Sequence, residues 1–197
     1  PRRMPEPSSP MFVERAAEEI ARLLEISRGR AFVLFTSYAH MNAVAERLAG
    51  VVPLELPADR PRPDVRGPAG GACRFAVPAD TADGVRALAL EHGTTPFAVL
   101  LTAFQALLGR YTGRSDVAVG VPVGNRQRPE LQDLIGFFVN TVVMRARWSG
   151  QQGFAELLQD NRLAVLDAFD HQELPFEWLV NELDPERDLS RTPLVQV

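Results

Sequence analysis

YTGRSDVAVGVPVGNRQRPELQDLIGFFVNT, residues 111–141, is the stretch whose reading decides the fold. Within it, 116–123 alternates small and apolar residues between Gly113 on one side and Pro122 with Gly124 on the other, the pattern of a short buried strand. Gly120 inside that strand leaves room for another backbone or a ligand arm to approach. The preceding helix, expected over 96–110, carries Phe97, Val99, Leu100, Leu101, Phe104, Leu107 and Leu108 around most of its circumference, so burial is expected on more than one side. Thr95 stands as its N-cap, with Pro96 in its first turn. Beyond the stretch, 139–148 alternates Val139, Thr141, Val143, Arg145 and Arg147 against Asn140, Val142, Met144, Ala146 and Trp148. This predicts a second strand, with Arg145 and Arg147 toward solvent or a partner.

Working outward, periodicity predicts a helix over 153–169, a loop over 171–175, a short helix over 176–183, a charged loop over 184–192 and an apolar strand beginning at Pro193. Upstream lie a short strand over 73–77 and an amphipathic helix over 82–92 stopped by Gly93. Residues 51–71 are rich in proline and glycine and read as an extended linker. The first fifty residues are organised differently. A proline-rich lead-in over 1–10 gives way to a helix over 12–26, a break at Gly29, a strand over 31–35 that is apolar on both faces, and a helix over 38–48.

Composition narrows the function classes. With 197 residues the chain can bury a sizeable core, and a net charge of −4 gives no footing for a nucleic-acid surface, which is normally basic. The single cysteine, Cys73, has no partner within the chain for a disulfide or a zinc site, which points to a reducing, cytoplasmic setting. No His, Cys or carboxylate cluster has metal-ligand spacing, no apolar run approaches membrane length, and PRRMPEPSSP lacks the apolar core of a signal peptide.

Tyr111-Thr112-Gly113, Asp116, Gly120, Pro122, Asn125-Arg126 and Ile135-Gly136-Phe137-Phe138-Val139-Asn140-Thr141 closely resemble the C-terminal lobe of the condensation domains of nonribosomal peptide synthetases. His171-Gln172-Glu173-Leu174-Pro175-Phe176-Glu177 and Arg187-Asp188-Leu189-Ser190-Arg191-Thr192-Pro193-Leu194 resemble the next two blocks of that lobe, in order, and the proline-rich run over 53–63 resembles the segment leading into it. The resemblance implies an α/β fold: a chloramphenicol acetyltransferase-like lobe with a mixed sheet and flanking helices, following the short N-terminal helix–strand–helix unit. It implies a reaction that joins an acyl thioester to the amine of an aminoacyl thioester. Both substrates ride on phosphopantetheine arms of partner carrier domains, with no cofactor bound to the lobe itself.

In that family the chemistry is carried by H-H-x-x-x-D-G. The three histidines here, His40, His92 and His171, stand in no such motif, so no catalytic residue is assigned. The resemblance places Asn140 and Thr141 on a strand lining the channel between the two lobes. Together with Gly120, Arg126 and His171 they form the candidate set for channel or carrier-arm binding. His171 is expected to fix its loop by hydrogen bonds, and Asp116 and Arg126 to brace strand ends by a salt bridge or backbone hydrogen bonds.

The opening segment resembles another family. Ser9-Pro10, the helix over 16–24 and the run from Gly29 to Tyr38 are similar to the start of the second motor domain of Rad3-like, DinG-type DNA helicases, which would put Thr36, Ser37 and Tyr38 near single-stranded DNA. No G-x-x-x-x-G-K loop followed by Ser or Thr is present to hold ATP, so motor activity is excluded. The expected organisation is therefore a helicase-like piece over 1–47, a linker over 48–71 and a truncated condensation lobe over 72–197, with an exposed sheet edge and exposed apolar surface. Three functions compete: a lobe that binds carrier domains without catalysing alone, an enzyme completed in trans by a separate N-terminal lobe, and a non-functional fusion or nucleic-acid-binding remnant.

Overall fold

The computed structural model describes residues 11, 14–15, 17–18, 21–22, 38–58, 61, 63–65, 70–127, 129–183 and 190–195. Two compact units divide the chain, Pro1–Thr36 and Ser37–Val197. In the first, the Arg15 guanidinium pairs with Glu18 at 2.9 Å and the Arg15 amide donates to the Met11 carbonyl. The strand expected over 31–35, Thr36, Ser37 and most of the helix expected over 12–26 lie outside the described residues.

The second unit runs α1 (Tyr38–Leu48), α2 (Ala79–Glu91), α3 (Pro96–Thr112), β1 (Asp116–Val123), a 3-10 turn at Pro129–Leu131, β2 (Asn140–Arg147), α4 (Phe154–Asp170) and α5 (Phe176–Leu183). Local chemistry sets the helix ends. Thr95 Oγ1 accepts from the Ala98 amide at 3.2 Å, and α3 stops where Gly113 turns left-handed at φ 67° and returns its N–H to Gly109. At α4 the Glu156 carboxylate accepts the Gly153 amide at 3.0 Å, satisfying a donor that a helix start leaves unpaired.

β1 and β2 pair antiparallel, from Asp116 opposite Arg147 to Val123 opposite Asn140. This register puts Val117, Val119 and Val123 on one face with Val142 and Met144, where they meet Leu101 and Leu108 of α3 and Val165 of α4. On the other face Ala118 and Val143 meet Met41 and Leu48 of α1, Leu179 of α5, and Leu174, Leu194 and Val195. The lobe is thus a small sheet held between two helical layers.

A buried polar chain crosses the α3–α4 layer. Asn161 Nδ2 donates to Thr102 Oγ1 at 3.1 Å and to Gln105 Oε1 at 2.8 Å, Gln105 Nε2 donates to the Met144 carbonyl at 2.9 Å, and Thr102 Oγ1 donates to the Ala98 carbonyl at 2.7 Å. Each group has a partner, which is the condition for burying it without a desolvation penalty. Gly109 of α3 lets Trp148 lie against the helix, since a Cβ there would sit 2.3 Å from the indole Cζ2.

Several expectations are corrected. Residues 73–77 form no strand: Phe75 is 84 % exposed, and no described strand runs beside them to make the ladder a strand requires. Residues 193–195 form a turn rather than a strand start, closed by the Val195 amide on the Pro193 carbonyl at 2.7 Å, with Leu194 at φ 61° and both apolar side chains buried. The helix α3 is buried along one side only. Phe97, Leu100, Phe104, Leu107 and Tyr111, at helical spacing, remain partly or largely exposed. The helix α1 packs within the second unit, against the sheet and α5.

Candidate functional site

Asn140 opens β2, and its side chain spends every polar atom on the neighbouring loop. Nδ2 donates to the carbonyls of Gln172 and Leu174 at 2.8 and 2.7 Å, and Oδ1 accepts the Phe176 amide at 3.1 Å. It satisfies the first free amide of α5 and pins the 171–175 turn to the sheet. His171 ends α4, and its Nδ1 lies 2.8 Å from the Asp167 carbonyl and 3.8 Å from the Asp167 carboxylate. A carbonyl only accepts, so Nδ1 carries the hydrogen in that bond. The expectation that His171 fixes its loop is corrected: its hydrogen bond to Asp167 runs back along its own helix, and the 171–175 turn is held by Asn140.

Arg126 braces the connection between the strands through the backbone. Its guanidinium donates to the carbonyls of Leu131, Leu134 and Gly136, the last two at 2.7 and 3.3 Å, and lies over the Phe138 ring at 4.3 Å from its centroid. Gly120 leaves room, as expected, but for a different guest. A Cβ there would stand 2.8 Å from Val195 Cγ2 and 3.2 Å from Thr141 Cγ2, so the Val195 side chain fills the space assigned to a backbone or ligand arm.

Arg145 is the residue whose role the alternation hides. Its side chain is 9 % exposed and makes a two-pronged pair with Asp116, Nε to Oδ1 at 2.8 Å and Nη2 to Oδ2 at 2.6 Å. Nη1 donates to the carbonyls of Arg47 and Ala49 at 2.8 and 2.9 Å, capping the C-terminal end of α1. Its partner is therefore this chain's own helix, whereas Arg147 is largely exposed, with its Nε 3.6 Å from Asp116. The Arg145 hydrogen bond holds the Asp116 carboxyl below its ordinary value of 3.8, against the upward push of partial burial and with help from the charges of Arg145, Arg147 and Arg114. A signal for this was present in the sequence: an arginine inside an apolar strand, with an acid at the start of the strand before it.

Between β2, α1, α4 and α5 lies a cavity of about 440 Å³. Val44, Leu48, Val143, Leu163, Ala164, Ala168 and Leu179 give it apolar walls, and Arg47, Arg145, Arg147, Asp160 and Asp167 give it charged borders. The Arg47 guanidinium of α1 pairs with the Asp167 carboxylate of α4. Of the candidate set, Thr141 and His171 line this cavity, while Asn140, Gly120 and Arg126 do not. Among the described residues no group of three or more His, Cys, Asp or Glu side chains could hold a metal ion, and no helix is long and apolar enough to cross a membrane.

Residues 45–197 match the condensation-domain family model. Phosphinothricin tripeptide synthetase PhsC of Streptomyces viridochromogenes is 49 % identical over 153 residues, 77 % of this chain and 14 % of the synthetase. PhsB of the same organism is 46 % identical over 172 residues, 87 % of this chain and 14 % of its own length, so that match extends upstream of the family-model segment. Among solved structures, a four-domain nonribosomal peptide synthetase bound to AMP and glycine superposes with a TM-score of 0.77 at 25 % identity, over 86 % of this chain and 13 % of that one. The X-domain from teicoplanin biosynthesis shares the fold with a TM-score of 0.77 at 24 % identity, over 97 % of this chain and 42 % of that one. The chain therefore spans a small part of the synthetases it matches, and its α/β lobe has the chloramphenicol acetyltransferase-like architecture of their condensation domains. It belongs to the condensation-domain family of the nonribosomal peptide synthetases.

Proposed function

We propose that this chain is one lobe of a condensation domain, which binds carrier-tethered substrates and does not form the amide bond alone. One observation carries the reading: the lobe's sequence blocks are present in order, while none of the three histidines stands in H-H-x-x-x-D-G. In the family reaction an amine nitrogen attacks a thioester carbonyl, the carbon–sulfur bond breaks, and the amine proton must leave. A group that assists needs hydrogen-bond reach of that proton. Here His171 is engaged with Asp167 of its own helix, and Asn140 and Arg126 are engaged with backbone. The chain thus contributes scaffold and channel wall. Thr141 and His171, at one end of the cavity, are the residues proposed to face a phosphopantetheine arm, while Asn140, Gly120 and Arg126 hold that wall in shape.

The partners are peptidyl or acyl carrier domains in a cytoplasmic synthetase. A second reading, completion in trans by a separate N-terminal lobe, draws support from the cavity, whose outer side is left without a covering strand among the described residues. The helicase resemblance of the first 47 residues gains nothing comparable. The PhsB match extends upstream of residue 45, and α1 packs against the condensation lobe, which supports reading α1 as part of that lobe. The acidic balance also speaks against a nucleic-acid-binding remnant.

Amide formation between two loaded carrier domains tests the proposal, with this chain alone and with a separately expressed condensation N-terminal lobe. No product alone and saturable carrier binding are expected; product alone overturns the reading. Product only in the mixture establishes the split enzyme. Absence of carrier binding by folded protein leaves a non-functional fusion.

A further inference from the structure

The buried polar chain between α3 and α4 leaves one acceptor over. The carbonyls of Met144 and Ala98 only accept, so Gln105 must turn Nε2 to Met144, and Thr102 must give its hydroxyl hydrogen to Ala98. Gln105 Oε1 and Thr102 Oγ1 then both call for a donor, and Asn161 Nδ2, with two hydrogens, serves both. The two carbonyls thus fix the amide of Asn161 with its nitrogen toward α3. Its oxygen is turned elsewhere, and among the described residues Oδ1 meets no donor.

Asn161 is only 3 % exposed, yet it lines the cavity, and Oδ1 is not one of the buried atoms sealed off without a partner. Its remaining surface therefore opens into the cavity. An acceptor left dry costs free energy, so a group held against it gains by bringing an N–H or O–H. Val143, Leu163 and Ala164 make the surrounding walls apolar, and a charged donor would lose its water between them, which favours a neutral one.

Depth narrows the choice further. Asn161 stands ten positions before His171, about 15 Å along α4 from the end marked by Thr141 and His171. A group entering there reaches Asn161 only as an extended chain. An extended, largely apolar chain with neutral N–H donors is what a pantetheine arm offers through its two secondary amides.

Resting on the condensation-lobe reading above, we infer that Asn161 is a specificity-determining residue of the cavity, whose Oδ1 accepts the N–H of a secondary amide in the bound chain. The bonds behind it, through Gln105 to the Met144 carbonyl, hold the acceptor in place before the ligand arrives. An ester of the same length would set an oxygen lone pair against Oδ1, so the site distinguishes amide from ester.

The probes for the full chain are pantetheine, the analogue in which both amide N–H groups are replaced by oxygen, and a carrier domain in its arm-bearing and arm-free forms. Binding is followed by nuclear magnetic resonance titration. Pantetheine is expected to bind at least about fivefold more tightly than the ester analogue. Asn161→Leu should bring pantetheine down to the ester's level and leave the ester unchanged, and Ala164→Trp, which fills the cavity from an exposed position of α4, should weaken both. Equal affinity of the two probes for the unaltered protein overturns the inference, whether or not Asn161→Leu folds. So does undiminished binding by Ala164→Trp, which places the ligand elsewhere, and so does a lack of pantetheine binding by folded protein. The carrier forms judge the underlying reading separately. Arm-dependent carrier binding without amide preference keeps the condensation-lobe reading and removes Asn161 from it. Amide-selective binding of pantetheine without arm-dependent carrier binding keeps the role of Asn161, assigns the site to a free amide ligand and overturns the carrier reading.

Discussion

The two faces of the sheet are built on different principles. Toward α3 and α4 the strands present Val117, Val119, Val142 and Met144 to a close-packed layer, with polar groups confined to the Thr102–Gln105–Asn161 chain. Toward α1 and α5 the apolar cluster is interrupted by Arg145, Asp116 and the cavity, and side chains there bond to helix ends and loop carbonyls. One face is held by packing, the other by directed bonds to backbone. A face held by directed bonds can carry a groove and still keep its geometry, which is why the candidate site lies there.

Four substitutions set the two faces against each other. Leu158→Ala, at a side chain with 0 % exposure in the α2–α3–α4 layer, should cost about 2–5 kcal/mol in denaturant unfolding. A loss under about 1 kcal/mol would mean that this layer is not close-packed. Asn140→Ala removes three bonds to the 171–176 backbone and should cost about 2–3 kcal/mol, with exchange accelerated at the Phe176 amide. Uniform acceleration through α3 and α4 would mean that Asn140 supports the packed layer as a whole and not the 171–176 turn alone.

Gly120→Ala drives a Cβ toward Val195 and should cost about 1–2 kcal/mol, since the atom met is the end of a side chain that can shift. A neutral result would show that 193–195 is only loosely seated. Asp116→Asn should have the smallest effect, about 1 kcal/mol or less at neutral pH, because the carboxylate is 43 % exposed and solvent screens the pair. The sign of its pH effect is fixed. The folded carboxyl lies below its unfolded value, so its stabilisation is complete above that unfolded value and is lost as pH falls through the folded one. Acid unfolding of Asp116→Asn should therefore be less steep below about pH 4 than that of the parent. Equal steepness would remove Asp116 from the account.

Much of the lobe was legible in the sequence because its signals are local. Alternation located β1 and β2, and Thr95 with Pro96 marked the start of α3. What escaped was set by distant partners. The pattern over 73–77 is that of a strand, yet a strand also needs a neighbour, and Phe75 finds none among the described residues. Gly120 announced a close approach without saying that Val195 would make it. Alternation assigned Arg145 to a face correctly, but only the fold shows that the end of α1 lies over that face. Thr141 and His171 were chosen by resemblance and share a cavity, whereas Arg47 and Asp167, which tie its two walls together, carried no motif.

The Arg126 clamp has a consequence for how the gene can vary. By gathering the carbonyls of Leu131, Leu134 and Gly136 it fixes the path by which the chain enters β2. One residue inserted between Gly136 and Asn140 would slip the strand by a single position, sending Arg145 toward the packed layer and Met144 toward the charged one. Length changes in this short span should therefore be rejected.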